Sequence, residues 1–251
     1  MIDSSIWNCV RSGTCAVGYL TVRPQEFLKD PARPLFSIKG TGFLVRDTTA
    51  ITNRHVIEAL MEEQQKTGFP DEQLYLRFVY PTTNGLQEGY CRFGRFGIVT
   101  NQELDVGFIE FKRRLGAEFD QCRPLVLGDP PSIAVGQPIA VCGYPFGSEM
   151  LKRQEKTYRF GPVLQQGYIS AIAPFDTYSR VEELLLDLRT APGMSGSPVF
   201  LPNDGSVIGI LHAGWDATTS LAVPIDAKWL RAALSLHKQG QSGSAEVEVS
   251  P

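Results

Sequence analysis

Residues 187–200 read "DLRTAPGMSGSPVF", a glycine-rich turn that carries a serine and then enters a strand-like apolar run. Nucleophilic catalysis by a hydroxyl requires a serine held on a tight turn, a histidine that takes its proton and a carboxylate that orients the histidine. Gly193 allows the backbone to direct its N–H toward Ser195, where both amides can stabilise a developing oxyanion. The stretch therefore predicts Ser195 as the nucleophile and the Gly193 and Ser195 amides as the oxyanion hole.

Two other segments supply the partners that this serine requires. His55 lies in "AITNRHVIEAL", where a strand-like run passes into a helical pattern, and Asp105 lies in "NQELDVGFIEF", just before an apolar strand. Taken alone, a histidine or an acid at a strand start is more often a structural residue. Their occurrence together with the serine turn, in the order His55, Asp105 and Ser195, predicts a catalytic triad.

Strand-like runs rich in β-branched and aromatic residues recur along most of the chain, separated by glycine and proline. This spacing is typical of an antiparallel β architecture, either a sandwich or a barrel. Two amphipathic helices interrupt it. The first is "HVIEALMEEQQKTG", which follows directly on His55, and the second is "IDAKWLRAALSLHKQ", near the C-terminus.

The order of the three residues and their local contexts resemble the trypsin/chymotrypsin superfamily of serine proteases. The similarity is to its bacterial branches, the Deg/HtrA-type proteases and the glutamyl endopeptidases. It extends from about Cys15 to about Leu236. The segments that carry it are "GTGFLV" followed by "ITNRHVI", then "LDVGFIEF", "VCGYPFG", "LQQGYISAI", the serine loop, and "VIGILHAG" with "SLAVPI".

The resemblance implies an all-β fold of two six-stranded antiparallel Greek-key β-barrels of the chymotrypsin type. The cleft between them would join His55 and Asp105 of the first barrel to Ser195 of the second. We expect a protease domain at 1–238 and a flexible tail or linker at 239–251. Within the domain the expected boundaries are about 15–120 for the N-terminal barrel, about 121–225 for the C-terminal barrel and about 226–238 for the C-terminal helix.

In such a fold, Ser195 would attack the scissile carbonyl, His55 would act as general base and then general acid, and Asp105 would orient the histidine. Strand 211–214 would pair with an extended peptide by strand addition. The resemblance also implies a substrate-binding pocket, whose residues would be Arg189, Thr190, Ala191, Leu211, His212, Ala213, Gly214 and Ser220.

The residue six positions before the serine bears on specificity. A trypsin-like pocket carries aspartate there, and this chain carries Arg189, so cleavage after lysine or arginine is disfavoured. If Arg189 points into the pocket, an acidic P1 side chain is its complement, and Thr190 matches a threonine of glutamyl endopeptidases. If Arg189 instead turns outward and pairs with Asp187 or Glu183, a small apolar pocket remains. We therefore expect an acidic or a small apolar P1 residue.

Two departures from the family pattern lead to further expectations. The pocket histidine of glutamyl endopeptidases should occupy position 211, whereas the histidine here is His212, which would lie behind Asp105 unless the strand contains a bulge. Met194 replaces the aspartate that receives a new N-terminal ammonium in digestive members. Activation by N-terminal insertion is therefore not expected, and the oxyanion loop is either preformed or ordered by something else.

Composition excludes several classes of partner. The 251 residues include 24 Lys and Arg against 27 Asp and Glu, with only short basic clusters, so nucleic acid is not an expected partner. No apolar run approaches the ~18 residues that span a bilayer, so a membrane is not expected either. Five cysteines and three histidines lack a metal-ligand spacing, and we expect neither a metal nor another cofactor.

Cysteine usage and the N-terminal residues bear on the compartment. The number of cysteines is odd, and free thiols in a reducing compartment are the simpler interpretation, with a Cys9–Cys15 disulfide as the alternative. The first residues have neither a basic start nor a continuous apolar run, so they do not read as a secretory signal. Together these observations favour a cytoplasmic location.

The predicted function is a serine endopeptidase that cleaves protein or peptide substrates through an acyl-enzyme intermediate. A regulatory partner protein or an additional domain would fit a protease of this architecture. The alternative is a catalytically silent module of the same fold that binds peptides or partner proteins, because a fold does not determine its chemistry.

Overall fold

The chain folds into two antiparallel β-barrels preceded by a helix, as seen in a computed structural model. The residues that the structure describes are 2–29, 35–99, 104–112, 121–128, 133–145, 151–153, 156–158, 161–175, 181–214, 218–225, 230 and 245–247.

The first barrel contains six strands, and each is antiparallel to both of its neighbours. Following the strands around the barrel gives the order β1-β2-β3-β6-β5-β4, and the pairing of β4 with β1 closes it. The third strand pairs with the sixth rather than with the fourth, which is the crossover of a Greek key. The strands are β1 (Thr14–Leu20), β2 (Phe36–Arg46), β3 (Thr49–Thr52), β4 (Leu74–Thr82), β5 (Gly85–Val99) and β6 (Gly107–Phe111).

The second barrel repeats this topology with its own six strands. Its closed order is β7-β10-β11-β14-β13-β12, in which the third strand again pairs with the sixth. The predicted fold class of two six-stranded antiparallel barrels is therefore confirmed. The strands are β7 (Pro138–Gly143), β10 (Val163–Ala173), β11 (Glu183–Leu186), β12 (Pro198–Phe200), β13 (Val207–Gly214) and β14 (Ser220–Pro224); a separate hairpin is formed by β8 (Leu151–Arg153) and β9 (Lys156–Tyr158).

Each barrel has its own apolar interior, and a further apolar cluster joins the two. This joining cluster takes Phe43 and Phe108 from the first barrel and Phe200 and Ile210 from the second, all fully buried. Burial of apolar surface on this scale fixes the barrels against each other and so determines the shape of the cleft between them.

A helix that the sequence did not predict, α1 (Ser4–Gly13), covers one side of this joining cluster. Asp3 caps the helix by accepting a hydrogen bond from the Ser5 N–H at 2.7 Å, and Val10 is buried in the cluster. Two short helical segments lie in the first barrel, α2 (Pro24–Phe27) and a 3-10 turn (Asp71–Gln73). Within the described parts of the chain, no helix is long and apolar enough to cross a membrane.

The helix predicted after His55 is confirmed as α3 (Arg54–Thr67). It buries Val56, Ile57 and Leu60, and it ends where Gly68 adopts a left-handed φ of 72°. The predicted C-terminal helix, 226–238, lies outside the described residues apart from Leu230, which is helical and fully buried. Of the predicted tail, 239–251, the structure describes one segment. It is β15 (Ala245–Val247), which pairs in parallel with β5.

Candidate active site

His55 and Asp105 are brought together by the pairing of β3 with β6. His55 is the second residue of α3, which starts directly after β3, and Asp105 lies two residues before β6. The two strands are antiparallel, with Thr52 opposite Gly107, so the end of β3 meets the start of β6. The Asn53 side chain donates a hydrogen bond to the Asp105 carbonyl at 2.9 Å, which holds the segment before β6 in place.

The Asp105 carboxylate binds the histidine at two points. Its Oδ2 lies 2.6 Å from His55 Nδ1, and its Oδ1 accepts a hydrogen bond from the His55 backbone N–H at 3.0 Å. Because a carboxylate only accepts, the Nδ1 atom carries the ring proton and Nε2 is left as the acceptor. This is the tautomer that a general base facing a serine requires.

The environment of Asp105 favours its ionised form. Burial raises the pKa of the carboxyl, but the hydrogen bonds from the His55 ring and backbone N–H outweigh burial, with smaller contributions from the charges of His55 and His212. The net result is a pKa below the ordinary aspartate value. The carboxylate is therefore negative at neutral pH and stabilises a positive charge on His55.

Ser195 lies between two overlapping turns that depend on glycine. In the first turn, the Met194 N–H donates to the Ala191 carbonyl at 3.0 Å, Pro192 is in second place, and Gly193 has a φ of 96° in third place. These are the features of a type II turn. In the second turn, the Ser197 N–H donates to the Met194 carbonyl at 3.0 Å, and Gly196 has a φ of 88°.

The serine turn and the histidine helix meet at one strand of the first barrel. The Thr41 N–H in β2 donates to the Ser195 carbonyl at 2.7 Å. At the preceding Gly40, an added Cβ would lie 2.6 Å from the Val56 side chain and 3.1 Å from the Ser195 carbonyl oxygen. Val56 follows His55 in α3, so the segments that carry His55 and Ser195 both adjoin this strand at the junction of the two barrels.

The Ser195 hydroxyl does not form a hydrogen bond with the His55 ring in this structure. Among the described residues, its hydrogen bond is to the His212 carbonyl oxygen at 3.4 Å, and none is formed with His55. Catalytic hydrogen bonds are often long or misaligned without substrate and tighten only in the complex, so this geometry is compatible with the predicted roles.

A cavity of about 340 Å³ adjoins Ser195 and contains most of the predicted substrate-binding residues. Its walls are small or apolar for the most part. Ser220, which was predicted to line the pocket, lies behind the wall instead: it is fully buried, and its hydroxyl binds the Leu188 carbonyl at 2.8 Å and Thr190 Oγ1 at 3.1 Å. The lining residues are Thr190, Ala191, Pro192, Ser195, Leu211, His212, Ala213 and Gly214.

Sequence comparison assigns the family. The trypsin-like peptidase domain family matches residues 40–210, a range that includes all three predicted catalytic residues. The chain belongs to the trypsin-like peptidase domain family. The predicted resemblance to the trypsin/chymotrypsin superfamily is thus confirmed, as is the predicted enzyme class of serine endopeptidase.

This peptidase domain is similar to two proteins of the Deg/HtrA type, to one in sequence and to the other in fold. A probable periplasmic serine endoprotease DegP-like from Halomonas elongata is 35% identical over 196 residues, which cover 74% of this chain and 33% of that protein. The solved structure of the HtrA-type protease AlgW with tripeptide has a TM-score of 0.55 and 17% identity, and the similar region covers 94% of this chain and 62% of that one. The second similarity concerns the fold. The chain spans about a third of the length of the curated relative.

The cytoplasmic location predicted from the sequence is wrong by this comparison, because the DegP-like relative is a periplasmic protein. The prediction rested on the unpaired cysteines and on the composition of the first residues, and neither property measures the compartment. All five cysteines of the peptidase domain are indeed unpaired, so the alternative Cys9–Cys15 disulfide is not formed. Burial raises the pKa of the Cys142 thiol to about 12, which makes that thiol unreactive.

Arg189 turns outward, as the second interpretation of the sequence expected, but it pairs with neither of the two acids considered. The side chain is exposed and is not among the residues that line the cavity, since Leu188 points into the barrel core and Thr190 faces the cavity. The two acids considered as its partners bind elsewhere. Asp187 accepts a hydrogen bond from the Tyr168 N–H, and Glu183 pairs with His212.

His212 lies on a bulge that the sequence did not indicate. The register of β13 against β14 shifts between Leu211 and Ala213, which leaves His212 as the extra residue. His212 is one of the residues that line the cavity, and its ring Nε2 lies 2.8 Å from Glu183 Oε1. His212 was expected to lie behind Asp105 only if the strand had no bulge, and the strand does have one.

Two residues of this site are missing from the sequence-based assignment. Pro192 has a detectable signal, because a Pro-Gly pair is typical of a turn. Thr41 has none beyond its place in "GTGFLV", because its role depends on contacts across the two barrels. Within the described residues, no group of three or more potential metal ligands comes together.

Proposed function

We propose that this serine endopeptidase hydrolyses peptide bonds through His55, Asp105 and Ser195. The observation that carries the proposal is the two-point contact of the Asp105 carboxylate with the ring Nδ1 and the backbone N–H of His55. A surface ion pair rarely fixes a histidine in this way, whereas a general base requires a fixed tautomer and ring orientation. Ser195 lies on the facing loop, at a turn shaped by Gly193 and Gly196.

The mechanism follows from these positions. The Ser195 hydroxyl attacks the scissile carbonyl while His55 Nε2 accepts its proton, and the imidazolium that forms is stabilised by Asp105. The Gly193 and Ser195 N–H groups donate to the oxyanion, and one such donor is worth roughly 3 kcal/mol in the transition state. His55 then protonates the leaving amine as the C–N bond breaks. Water attacks the acyl-enzyme while His55 takes its proton, and His55 returns that proton to Ser195 Oγ as the acid product leaves.

Substrate would bind as an added strand along β13. Strand β12 pairs with β13 only from Val207 to Ile210. The edge of β13 from His212 to Gly214 is therefore not covered by β12. The same residues line the cavity beside Ser195. An extended peptide that pairs with this edge would pass its P1 carbonyl in front of the nucleophile.

Of the two P1 preferences expected from the sequence, we favour the small apolar one. The cavity is walled mainly by small or apolar side chains such as Ala191, Leu211 and Ala213. His212, one of the lining residues, is already paired with Glu183, whose negative charge opposes an acidic P1 group. Arg189 is exposed outside the cavity and supplies no counter-charge there.

The full physiological context is also a proposal. Because the DegP-like relative is periplasmic, we propose that the chain acts on protein or peptide substrates in the periplasm. The matched segment is about a third of that relative. A regulatory partner protein or additional domain stays a prediction. The silent-module alternative shares this fold, and activity measurements separate the two.

The test is cleavage of a peptide library by the wild type, by Ser195→Ala and by Arg189→Ala. We expect wild-type cuts after small apolar residues, none with Ser195→Ala, and an unchanged preference with Arg189→Ala. Absence of cleavage by the wild type, or equal cleavage by Ser195→Ala, would contradict the enzyme proposal. Predominant cuts after acidic residues that disappear in Arg189→Ala would contradict the proposed P1 preference alone.

A further inference from the structure

Thr41 makes an unusual set of hydrogen bonds at the junction of the two barrels. It is fully buried in β2, in the first barrel. Its side-chain Oγ1 donates to the Gly193 carbonyl at 2.7 Å and accepts from the Tyr144 N–H at 3.0 Å. Its backbone N–H donates to the Ser195 carbonyl at 2.7 Å, and its carbonyl accepts from Thr52 Oγ1 at 2.6 Å.

The direction of the bond to Gly193 follows from the chemistry of its partners. A hydroxyl has one proton to donate. The Tyr144 N–H is itself a donor, so the Thr41 oxygen must accept that bond. The single hydroxyl proton is then directed at the Gly193 carbonyl, which can only accept. A valine has the same shape and can make neither bond.

The bond acts on a glycine, the type of residue whose conformation is least restricted. Glycine adopts positive and negative φ about equally, so nothing in Gly193 itself holds its φ at 96°. A rotation there would turn the Gly193 N–H away from the oxyanion position. Two contacts hold the Gly193–Met194 peptide and so fix one of the two planes that the φ of Gly193 relates: the turn bond from the Met194 N–H to the Ala191 carbonyl, and the Thr41 hydroxyl on the Gly193 carbonyl.

We propose that Thr41 is a positioning residue that keeps the Gly193 amide aimed at the oxyanion. The inference rests on the proposed endopeptidase function and adds a residue to it. Thr41 belongs to the barrel of His55 and Asp105, whereas Gly193 and Tyr144 belong to the barrel of the nucleophile. The hydroxyl therefore makes correct docking of the two barrels a condition for a formed oxyanion hole, and it accounts for a preformed loop without an inserted N-terminus.

The experiment compares Thr41→Val with Thr41→Ser, which keeps the hydroxyl. The matched control is Thr14→Val, which removes another fully buried threonine hydroxyl, bonded to the Val10 carbonyl at 2.8 Å rather than to the loop. For Thr41→Val we expect kcat about 10- to 100-fold lower with KM changed less than about threefold, because the hole acts in the transition state. We expect Thr41→Ser and Thr14→Val to stay within about threefold of the wild type in kcat.

A second readout separates the oxyanion hole from general damage. A peptide aldehyde forms a tetrahedral adduct with the serine, so its affinity should fall by the same factor as kcat/KM in Thr41→Val. The affinity of a non-reactive product peptide should not change. If Thr41→Val does not fold, Thr41→Cys keeps the volume with a weaker donor and should give an intermediate kcat.

Three results would overturn the inference. The first is a kcat of Thr41→Val, or of Thr41→Cys if that variant is used, within about threefold of the wild type. The second is a rise in KM with kcat unchanged, and the third is a loss of kcat in Thr41→Ser as large as that in Thr41→Val. Failure of the proposed function is a different result, since the wild type itself would then not cleave peptides.

Discussion

Asp105→Asn replaces one oxygen of the carboxylate by an amide nitrogen, and the two hydrogen bonds at this site determine how that amide must lie. The His55 backbone N–H, 3.0 Å from Oδ1, is a donor in every protonation state. The oxygen of the new amide must therefore face this N–H. Its NH2 group is then placed at the former Oδ2 position, 2.6 Å from the Nδ1 atom of the ring.

That arrangement reverses the tautomer of the histidine. The amide donates to Nδ1, so Nδ1 becomes an acceptor and the ring proton moves to Nε2. A protonated Nε2 cannot accept the Ser195 proton, and the same substitution in a triad of this type lowers kcat about 10⁴-fold. We expect a comparable loss here, which corresponds to about 5.4 kcal/mol in activation free energy.

Turning the amide around does not avoid the loss. The NH2 group would then face the His55 backbone N–H, and two donors in contact cost about 1–3 kcal/mol through an unmade hydrogen bond. The imidazolium formed during catalysis would also lack its negative partner. Because the favoured orientation keeps both hydrogen bonds, we expect the fold and its thermal unfolding to change little.

The assay is kcat and KM on a peptide substrate, with thermal unfolding followed by circular dichroism. Asp105→Ala is the comparison, since it removes both hydrogen bonds and should reduce stability as well as activity. A kcat for Asp105→Asn within about tenfold of the wild type would refute the reasoning, since it would mean that Asp105 does not set the tautomer.

Four further predictions concern Gly196, Glu183, the pH dependence of stability and the N-terminus. In Gly196→Ala, the new Cβ would overlap the Thr41 carbonyl oxygen at a residue with a φ of 88°, so we expect loss of activity and a lower melting temperature; normal values for both would show that the turn can relax. Glu183→Gln removes the negative charge from His212, and the library profile should gain cuts after acidic residues relative to the wild type. The pKa of Asp105 is lowered in the folded state, so this carboxylate stabilises the fold at pH values above the ordinary aspartate pKa of about 3.9. That stabilisation is lost as the pH falls through the lowered pKa. Asp105→Asn should therefore reduce the acid sensitivity of the protein in a pH series of unfolding curves. An N-terminal extension of the chain should leave activity intact, and activity restored only after its removal would contradict this.

The barrels could be predicted, and the triad proposed, because both leave local traces in the sequence. Strand periodicity, the helix after His55 and the glycine turn around Ser195 depend on neighbouring residues, and their order along the chain resembles one superfamily. Pairing of β3 with β6 then brings His55 and Asp105 together without further assumptions. These features survive in sequence because each is encoded within a few positions.

The remaining features depend on contacts between distant segments. The bulge at His212 arises from the register of β13 against β14, and the exposure of Arg189 from the burial of Leu188 just before it. Thr41 acts through a carbonyl 152 residues further along the chain. Helix α1 is a different case, because its Asp3 N-cap and the apolar side chains Ile6, Trp7 and Val10 on one face are a local signal that the sequence-based assignment missed.

The most direct measurement of the central claim is labelling with a fluorophosphonate, followed by mass spectrometry of the labelled peptide. A serine that is activated by His55 and faces a formed oxyanion hole should react with one equivalent of the probe. We predict a single adduct on Ser195, absent from Ser195→Ala and strongly reduced in Asp105→Asn. No labelling of the wild type, or labelling that persists in Ser195→Ala, would contradict the account.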